Sequence, residues 1–168
     1  MMQEVNEFIT KAFYHELFGG QNQELSYNEQ SFQDKYDRLS QILNPEDLGI
    51  PAEFINEFNM PMWNRAIKEL KNFEKMTTPS TKLKSLVNSI VMINNNYSLF
   101  VKMKEDQAGA DEMLTILPFI VLKAKMPKLI RHISYCKFFE FSEFLTGEKL
   151  YALSKLEIAV KIINEFKE

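Results

Sequence analysis

The sequence predicts an all-α fold, a single compact layered domain of about seven or more helices over residues 1–168. Apolar residues recur at helical spacing along almost the whole chain. Only 5 glycines and 6 prolines occur, which favours long helices over turn-rich β architectures. Strand-like alternation is limited to a short stretch near residues 97–103.

The first helices are predicted by an apolar stripe and a cap. The stripe ends before Gly19 and Gly20, which supply a stop signal. It consists of Val5, Phe8, Ile9, Ala12, Phe13 and Leu17. Ser26 and Glu29 have the spacing of a capping box, so a second helix is predicted to begin there.

Later helices are marked by capping residues that precede proline. Asn44-Pro45 and Thr78-Pro79 each combine a cap with a proline at the first helical position. Between them, residues 61–73 show helical spacing. We expect the helix after Thr78 to end at the asparagine run 94–96. Further helices are expected near Asp111, Pro127 and Thr146.

The charge of the chain is unevenly distributed. Residues 1–60 hold 11 acidic and 3 basic residues, and the remainder holds 12 and 17, for a total of −3. The acidic part argues against general nucleic-acid binding. The basic run Lys123, Lys125, Lys128, Arg131 and Lys137 is interpreted as a solvated helix face, with a weak contact to acidic lipids or a partner as the alternative.

Several kinds of chemistry lack support in the sequence. The two histidines, His15 and His132, do not have a metal-binding spacing, and no phosphate-binding glycine loop occurs. Cys136, the single cysteine, lies in an apolar helix and is expected to be a buried small residue. We therefore expect no bound metal or cofactor, no covalent catalysis, no transmembrane segment and a reducing compartment.

Two motifs about thirty residues apart carry a resemblance to a known family. They are Gly109-Ala110-Asp111-Glu112 and Leu145-Thr146-Gly147-Glu148, the latter followed by Tyr151. Three further segments match in order: the segment 43–51, Pro79 with Lys82-Leu83 and Asn88, and the segment 121–127 followed by Tyr135 and Phe139. Together they resemble the vacuolar-protein-sorting-nine (VPS-nine) domain, over a core of about residues 12–166.

The resemblance implies a guanine-nucleotide exchange factor for an early-endosomal Rab-type GTPase. Asp111 corresponds to the acidic residue that engages the phosphate-loop lysine of the GTPase, with Glu112 as the alternative. Tyr151 and Ser154 correspond to the tyrosine and threonine that bind the switch region. Thr115, which replaces a proline common in the family, lies on the same helix as Asp111. The nucleotide and magnesium belong to the GTPase.

Other expectations concern the partner, the location and the surface. A catalytically weak GTPase-binding scaffold and a helical adaptor remain as alternatives. We expect a cytoplasmic monomer, recruited peripherally to endosomal membranes. A phenylalanine cluster is expected in the core, with an exposed partner-binding patch as the alternative; it comprises Phe138, Phe139, Phe141 and Phe144.

Overall fold

The computed structural model describes residues 1–19, 26–104 and 111–167, without the side chains of 102–104 and 111–113. These residues form eight α-helices and one 3-10 turn and contain no strand, which confirms the predicted all-α class. The helices are α1 (Met2–Ala12), α2 (Tyr14–Phe18), α3 (Tyr27–Ile42), α4 (Met60–Lys75), α5 (Pro79–Lys104), α6 (Asp111–Ala124), α7 (Leu129–Phe139) and α8 (Gly147–Glu165). The 3-10 turn is Pro45–Leu48.

Helix α6 is the centre of the fold. It packs against α3, α4, α5, α8 and the 3-10 turn. A helix that is apolar on every side is usually buried, and this holds here. Buried residues follow one another along it without a break from Ile116 to Leu122. Pro118 lies inside this helix. The helices around α6 therefore depend on it for their shared core.

The predicted capping signals are confirmed at the start of α3 and at the 3-10 turn. The Ser26 hydroxyl accepts from the Glu29 amide, and the Glu29 carboxylate accepts from the Ser26 amide at 2.8 Å. The Asn44 amide donates to the Asp47 carboxylate at 2.8 Å. Each bond satisfies an amide that the helical turn itself leaves unpaired.

Helices α4 and α5 form a closely packed hairpin that extends further than the sequence predicts. The asparagine run at 94–96 does not end α5, which continues to Lys104. The reason is aromatic packing beyond the run. Tyr97 stacks on Phe54 and Phe100 stacks on Trp63, with ring centroids 5.6 and 6.1 Å apart. Tertiary contacts therefore outweigh the modest helix propensity of asparagine.

Tyr36 joins α3 to the end of α6. Its hydroxyl donates to the Val121 carbonyl at 2.5 Å and accepts from the Met126 amide at 3.0 Å. The loop that follows α6 contains two left-handed residues, Lys125 at φ +50° and Lys128 at φ +56°. Because Tyr36 holds both the last turn of α6 and this loop, it fixes the direction in which α7 leaves.

The basic run does not form one solvated face, because three of its five members bind different neighbours. Arg131 forms a salt bridge with Glu29 of α3 at 3.2 Å. Lys137 forms one with Glu157 of α8 at 2.7 Å. The Lys123 ammonium donates to a backbone carbonyl near the 3-10 turn. The run therefore ties α6 and α7 to surrounding elements.

The expectation that the phenylalanine cluster lies in the core is wrong. Phe138 is 80% exposed and Phe141 is also exposed, while Phe139 and Phe144 are only half-buried. Tyr135 and Cys136, on the inner side of α7, take the core positions instead. The alternative of an exposed apolar surface fits Phe138 and Phe141.

Helix α1 faces in an unexpected direction. Asn6 and Thr10 are its buried residues, whereas Val5, Phe8 and Ile9 of the predicted apolar stripe are exposed. A surface helix usually turns its apolar stripe to the core. Here the polar side faces the domain instead, and the Asn6 side-chain amide donates to the Phe139 carbonyl at the end of α7. In the part of the chain that the structure describes, no helix is long and apolar enough to cross a membrane.

Candidate functional site

An apolar groove lies between α5 and α8. It encloses a cavity of about 160 Å³. Its walls are Val87, Ile90, Val91 and Asn94 from α5, and Glu148, Tyr151 and Ala152 from α8. Tyr151, predicted as a site residue, is 50% exposed and lies at the edge of the groove. An accessible apolar surface with a few polar groups at its edge is typical of a protein-binding site.

The start of α8 positions Tyr151. Gly147 adopts φ +55° as the first residue of α8, a conformation that glycine tolerates far better than other residues. One turn later, Ala152 and Leu153 are buried and fix the rotation of the helix. Tyr151 therefore points away from the core. The Lys155 ammonium lies 5.4 Å from the centre of its ring.

Helices α6 and α8 point in the same direction. Tyr36 binds Val121 near the end of α6, and the adjacent Lys35 ammonium donates to Asn164 and Phe166 at the end of α8. Both helices thus end at the same part of α3 while packing against each other. At 1.5 Å per residue, Asp111 lies about 15 Å before Val121 along its helix, and Tyr151 about 20 Å before Asn164. The beginnings of α6 and α8 therefore lie at the same end of the molecule.

The remaining predicted site residues lie on these two helices. Asp111 and Glu112 begin α6, but their side chains lie outside the described residues. Thr115 is half-buried one turn further along α6. Ser154 is half-buried on α8, three residues after Tyr151 and hence on the same side of that helix. The geometry thus brings Tyr151 and Ser154 together.

The α5 wall of the groove was not predicted as part of a site. Val87 and Ile90 belong to an apolar stripe along α5, and Ile90 is buried. Val91 lies beside that stripe and is 46% exposed. An apolar residue just outside a core stripe was the available signal. Val91 forms part of a groove only because α8 lies opposite α5. The sequence of α5 alone does not show this.

Neither a metal-ligand cluster nor an activated cysteine is found among the described residues. Among them, no group of three or more histidine, cysteine, aspartate or glutamate residues could hold a metal ion. Cys136 is buried as predicted, and burial raises the pKa of its thiol to about 12. A thiol with that pKa stays protonated near neutral pH and is a poor nucleophile.

Comparison with known proteins agrees with the family resemblance carried by the sequence motifs. Residues 63–168 match the family described as the Vacuolar sorting protein 9 (VPS9) domain. Vacuolar protein sorting-associated protein 9A of Arabidopsis thaliana is 27% identical over 95% of this chain and 30% of its own length. GTPase-activating protein and VPS9 domain-containing protein 1 of Homo sapiens is 28% identical over 95% of this chain and 10% of its own.

A third relative is the Rab5 GDP/GTP exchange factor of Homo sapiens, 26% identical over 98% of this chain and 33% of its own length. The chain thus spans about a third or less of the length of these curated relatives. The matched region contains α5, α6 and α8, and with them both walls of the groove. Because the family match covers more than half of the chain, this protein belongs to the VPS9 domain family.

Proposed function

We propose that this chain promotes GDP release from an early-endosomal Rab-type GTPase, with Asp111 as the acidic finger and the α5–α8 groove as the docking surface. The observation that carries the proposal is the half-exposed Tyr151 at the edge of an apolar groove. The beginning of α6, where Asp111 lies, is at the same end of the molecule. The proposed activity is exchange through binding, without a covalent step.

Family membership and the names of two relatives support the proposal. A relative that shares 26% identity over nearly the whole chain is named as a Rab5 GDP/GTP exchange factor. Another is named Receptor-mediated endocytosis protein 6, from Caenorhabditis briggsae, and is 25% identical over 97% of this chain. These names favour an endosomal GTPase as the partner. They also favour a cytoplasmic protein that meets its GTPase at the endosomal membrane.

The role of Asp111 follows from the chemistry of a phosphate-binding lysine. In the GTPase, that lysine holds the β-phosphate of the nucleotide. A carboxylate accepts the same charge-assisted hydrogen bond and competes for the lysine. Such a bond contributes roughly 1.5–3 kcal/mol. The carboxylate also repels the leaving phosphate, so the nucleotide and its magnesium ion bind less tightly.

The groove supplies the rest of the free energy. A factor that binds the empty GTPase more tightly weakens nucleotide binding by the same factor. A preference of about ten thousand-fold corresponds to roughly 5.5 kcal/mol, more than one hydrogen bond provides. Burial of Val91 and Tyr151 against an apolar switch region contributes the remainder. The Tyr151 hydroxyl, together with the hydroxyls of Thr115 on α6 and Ser154 on α8, provides polar selectivity.

The experiment is a release assay with fluorescent GDP against a panel of Rab GTPases. We expect the native chain to accelerate release from early-endosomal members and to leave the others near their intrinsic rates. Tyr151→Ala should slow release at least tenfold, since central aromatic contacts carry much of an interface's binding energy. Leu99→Ala, also an exposed apolar residue of α5 but outside the groove, is the matched control.

The assay also separates the alternatives. Tight binding to a nucleotide-free GTPase without any acceleration would assign the chain to the scaffold class. Failure to bind any member of the panel would support a helical adaptor. Either result would reject the proposed exchange activity.

A further inference from the structure

Helix α1 is attached to the domain through its polar side. The Asn6 side-chain amide donates to the Phe139 carbonyl at 3.1 Å. Thr10, one turn later, is also buried. Gln3 reaches Ser80 at the start of α5. These residues share one side of the helix. Since the domain occupies that side, the opposite side is left facing solvent.

The solvent-facing side has the pattern of a helix-pairing seam. Met1, Val5, Phe8 and Ala12 follow one another at intervals of four, three and four residues, and all are exposed. This is the spacing of the a and d positions of a heptad repeat. Phe8, at the centre, is 74% exposed. A contiguous apolar seam on a solvent-facing helix indicates an interaction surface.

The residues beside the seam indicate which partner fits it. Glu4 and Lys11 lie on one flank, seven residues apart, and both are exposed. Met2 and Ile9 lie on the other flank at the same interval. When two copies of such a helix run antiparallel, the charged flank of one copy faces the charged flank of the other, and the apolar flanks face each other. The order of residues along the two facing flanks is reversed. Glu4 of each copy then lies opposite Lys11 of the other, and Met2 lies opposite Ile9.

We propose that α1 joins two copies of this chain by pairing antiparallel with itself about an axis between Val5 and Phe8. The arrangement is isologous, so the Glu4–Lys11 pair forms twice by symmetry. In a parallel pair, each charged flank would face the apolar flank of the other copy. The charges therefore select the antiparallel orientation. A cavity of about 460 Å³ beside the seam, lined by Phe8, Lys11 and residues 75–78, gives the partner side chains room.

A second copy fits this surface better than a membrane does. Helices that lie on membranes carry several basic residues on their polar side. The charged residues of α1 are Glu4, Glu7 and Lys11, so acids outnumber bases. Glu4 contacts the N-terminal ammonium at 3.3 Å, but this ion pair is fully exposed and weak. One short helix pair buries less than the ~800 Å² per partner of a standard interface, so we expect micromolar association.

Sedimentation velocity across a concentration series tests the association. We expect a reversible monomer–dimer equilibrium for the native chain. Phe8→Asp should leave only monomer, because it places a charge at the centre of the seam. Phe58→Asp is the matched control, since Phe58 is 95% exposed and precedes α4 at the end of that helix away from α1. A native chain that stays monomeric up to millimolar concentration overturns the proposal.

Reversal of the charges at positions 4 and 11 tests the antiparallel orientation of the two helices. Glu4→Lys alone and Lys11→Glu alone each place like charges opposite each other twice, so each should dimerise about tenfold more weakly. An equimolar mixture of the two variants should recover dimers, because every pair across the seam is then of opposite charge. Failure of the mixture to recover overturns the antiparallel pairing. Binding to phosphatidylcholine–phosphatidylserine vesicles by a strictly monomeric chain would assign the seam to a membrane and overturn the proposal.

Discussion

The ammonium nitrogen of Lys82 lies 2.9 Å from Nδ1 of His132, and both residues are buried. The same nitrogen donates to the Phe73 and Glu74 carbonyls at 2.9 and 3.1 Å, in the last turn of α4. A protonated lysine has no lone pair, so Nδ1 of His132 must accept. His132 is therefore neutral, with its proton on Nε2. This contact joins α4, α5 and α7.

Acidification should destabilise the protein through His132. Burial, with the positive charges of Lys82 and Lys128, lowers the pKa of His132 to about 3, whereas an unfolded histidine has a pKa of about 6.5. Between these values only the unfolded chain binds the proton, so stability falls as pH falls. We expect His132 to account for a loss of about 2 kcal/mol between pH 7 and pH 5.

Imidazole NMR measures this directly. His15 is the only other histidine, and a His15→Gln variant leaves one imidazole to observe. The His132 resonances should stay constant from pH 7 to pH 5. A midpoint near pH 6 would contradict the proposed neutral, buried acceptor.

Removal of the Lys82 ammonium should loosen the α4–α5 hairpin. Lys82→Met fills similar volume but leaves two helix-terminal carbonyls and Nδ1 of His132 without their donor. We expect a loss of about 2–4 kcal/mol in the free energy of unfolding by urea. Lys84→Met changes an exposed lysine on the same helix and should cost less than about 0.5 kcal/mol. Equal midpoints for the two variants would contradict a structural role for Lys82.

A side chain at Gly147 should strain the start of α8. The φ of +55° is unfavourable for residues with a Cβ, although a Cβ there meets no atom within 4 Å. Gly147→Ala should therefore cost about 1–2 kcal/mol through backbone conformation alone. Gly147→Asn should cost less, since asparagine tolerates this region better. Thermal melts that rank the alanine variant equal to the native chain would argue against this explanation.

The α5 wall of the groove should matter for exchange, although sequence reasoning did not assign it a role. Val91→Asp places a charge on an exposed position that docking would bury, so GDP release should slow at least tenfold. Its melting temperature should remain close to that of the native chain. The exposed Phe58→Asp serves again as the control for an added surface charge. Unchanged release with Val91→Asp would remove the groove from the docking surface.

The sequence predicted those parts of the fold that depend on local signals. Ser26 with Glu29, and Asn44 with Pro45, mark helix starts because caps act over three or four residues. The sequence also shows the resemblance to the family at Pro79 and Lys82. The role of the Lys82 side chain, however, is visible only in the structure. Its partners lie on α4 and α7, and local patterns do not specify such distant contacts.

The predictions that the structure contradicts failed because the features concerned depend on contacts between residues that are distant in sequence. The orientation of α1 depends on a hydrogen bond from Asn6 to Phe139, 133 positions away, so its apolar stripe gave a misleading indication. The asparagine run at 94–96 predicts the end of α5. The helix nevertheless continues beyond the run, because Phe100 packs on Trp63. Tyr151, on the α8 wall of the groove, was predicted as a site residue because it belongs to a motif. Val91, on the α5 wall, belongs to no motif.

The most direct measurement compares GDP release by the native chain and by Asp111→Asn. Asparagine keeps the size and capping ability of aspartate but removes the charge that competes for the GTPase lysine. We predict a release rate roughly 10–150-fold lower, the range that corresponds to loss of one charge-assisted hydrogen bond, while Glu112→Gln stays near native. Equal rates for the native chain and Asp111→Asn would contradict the acidic-finger mechanism.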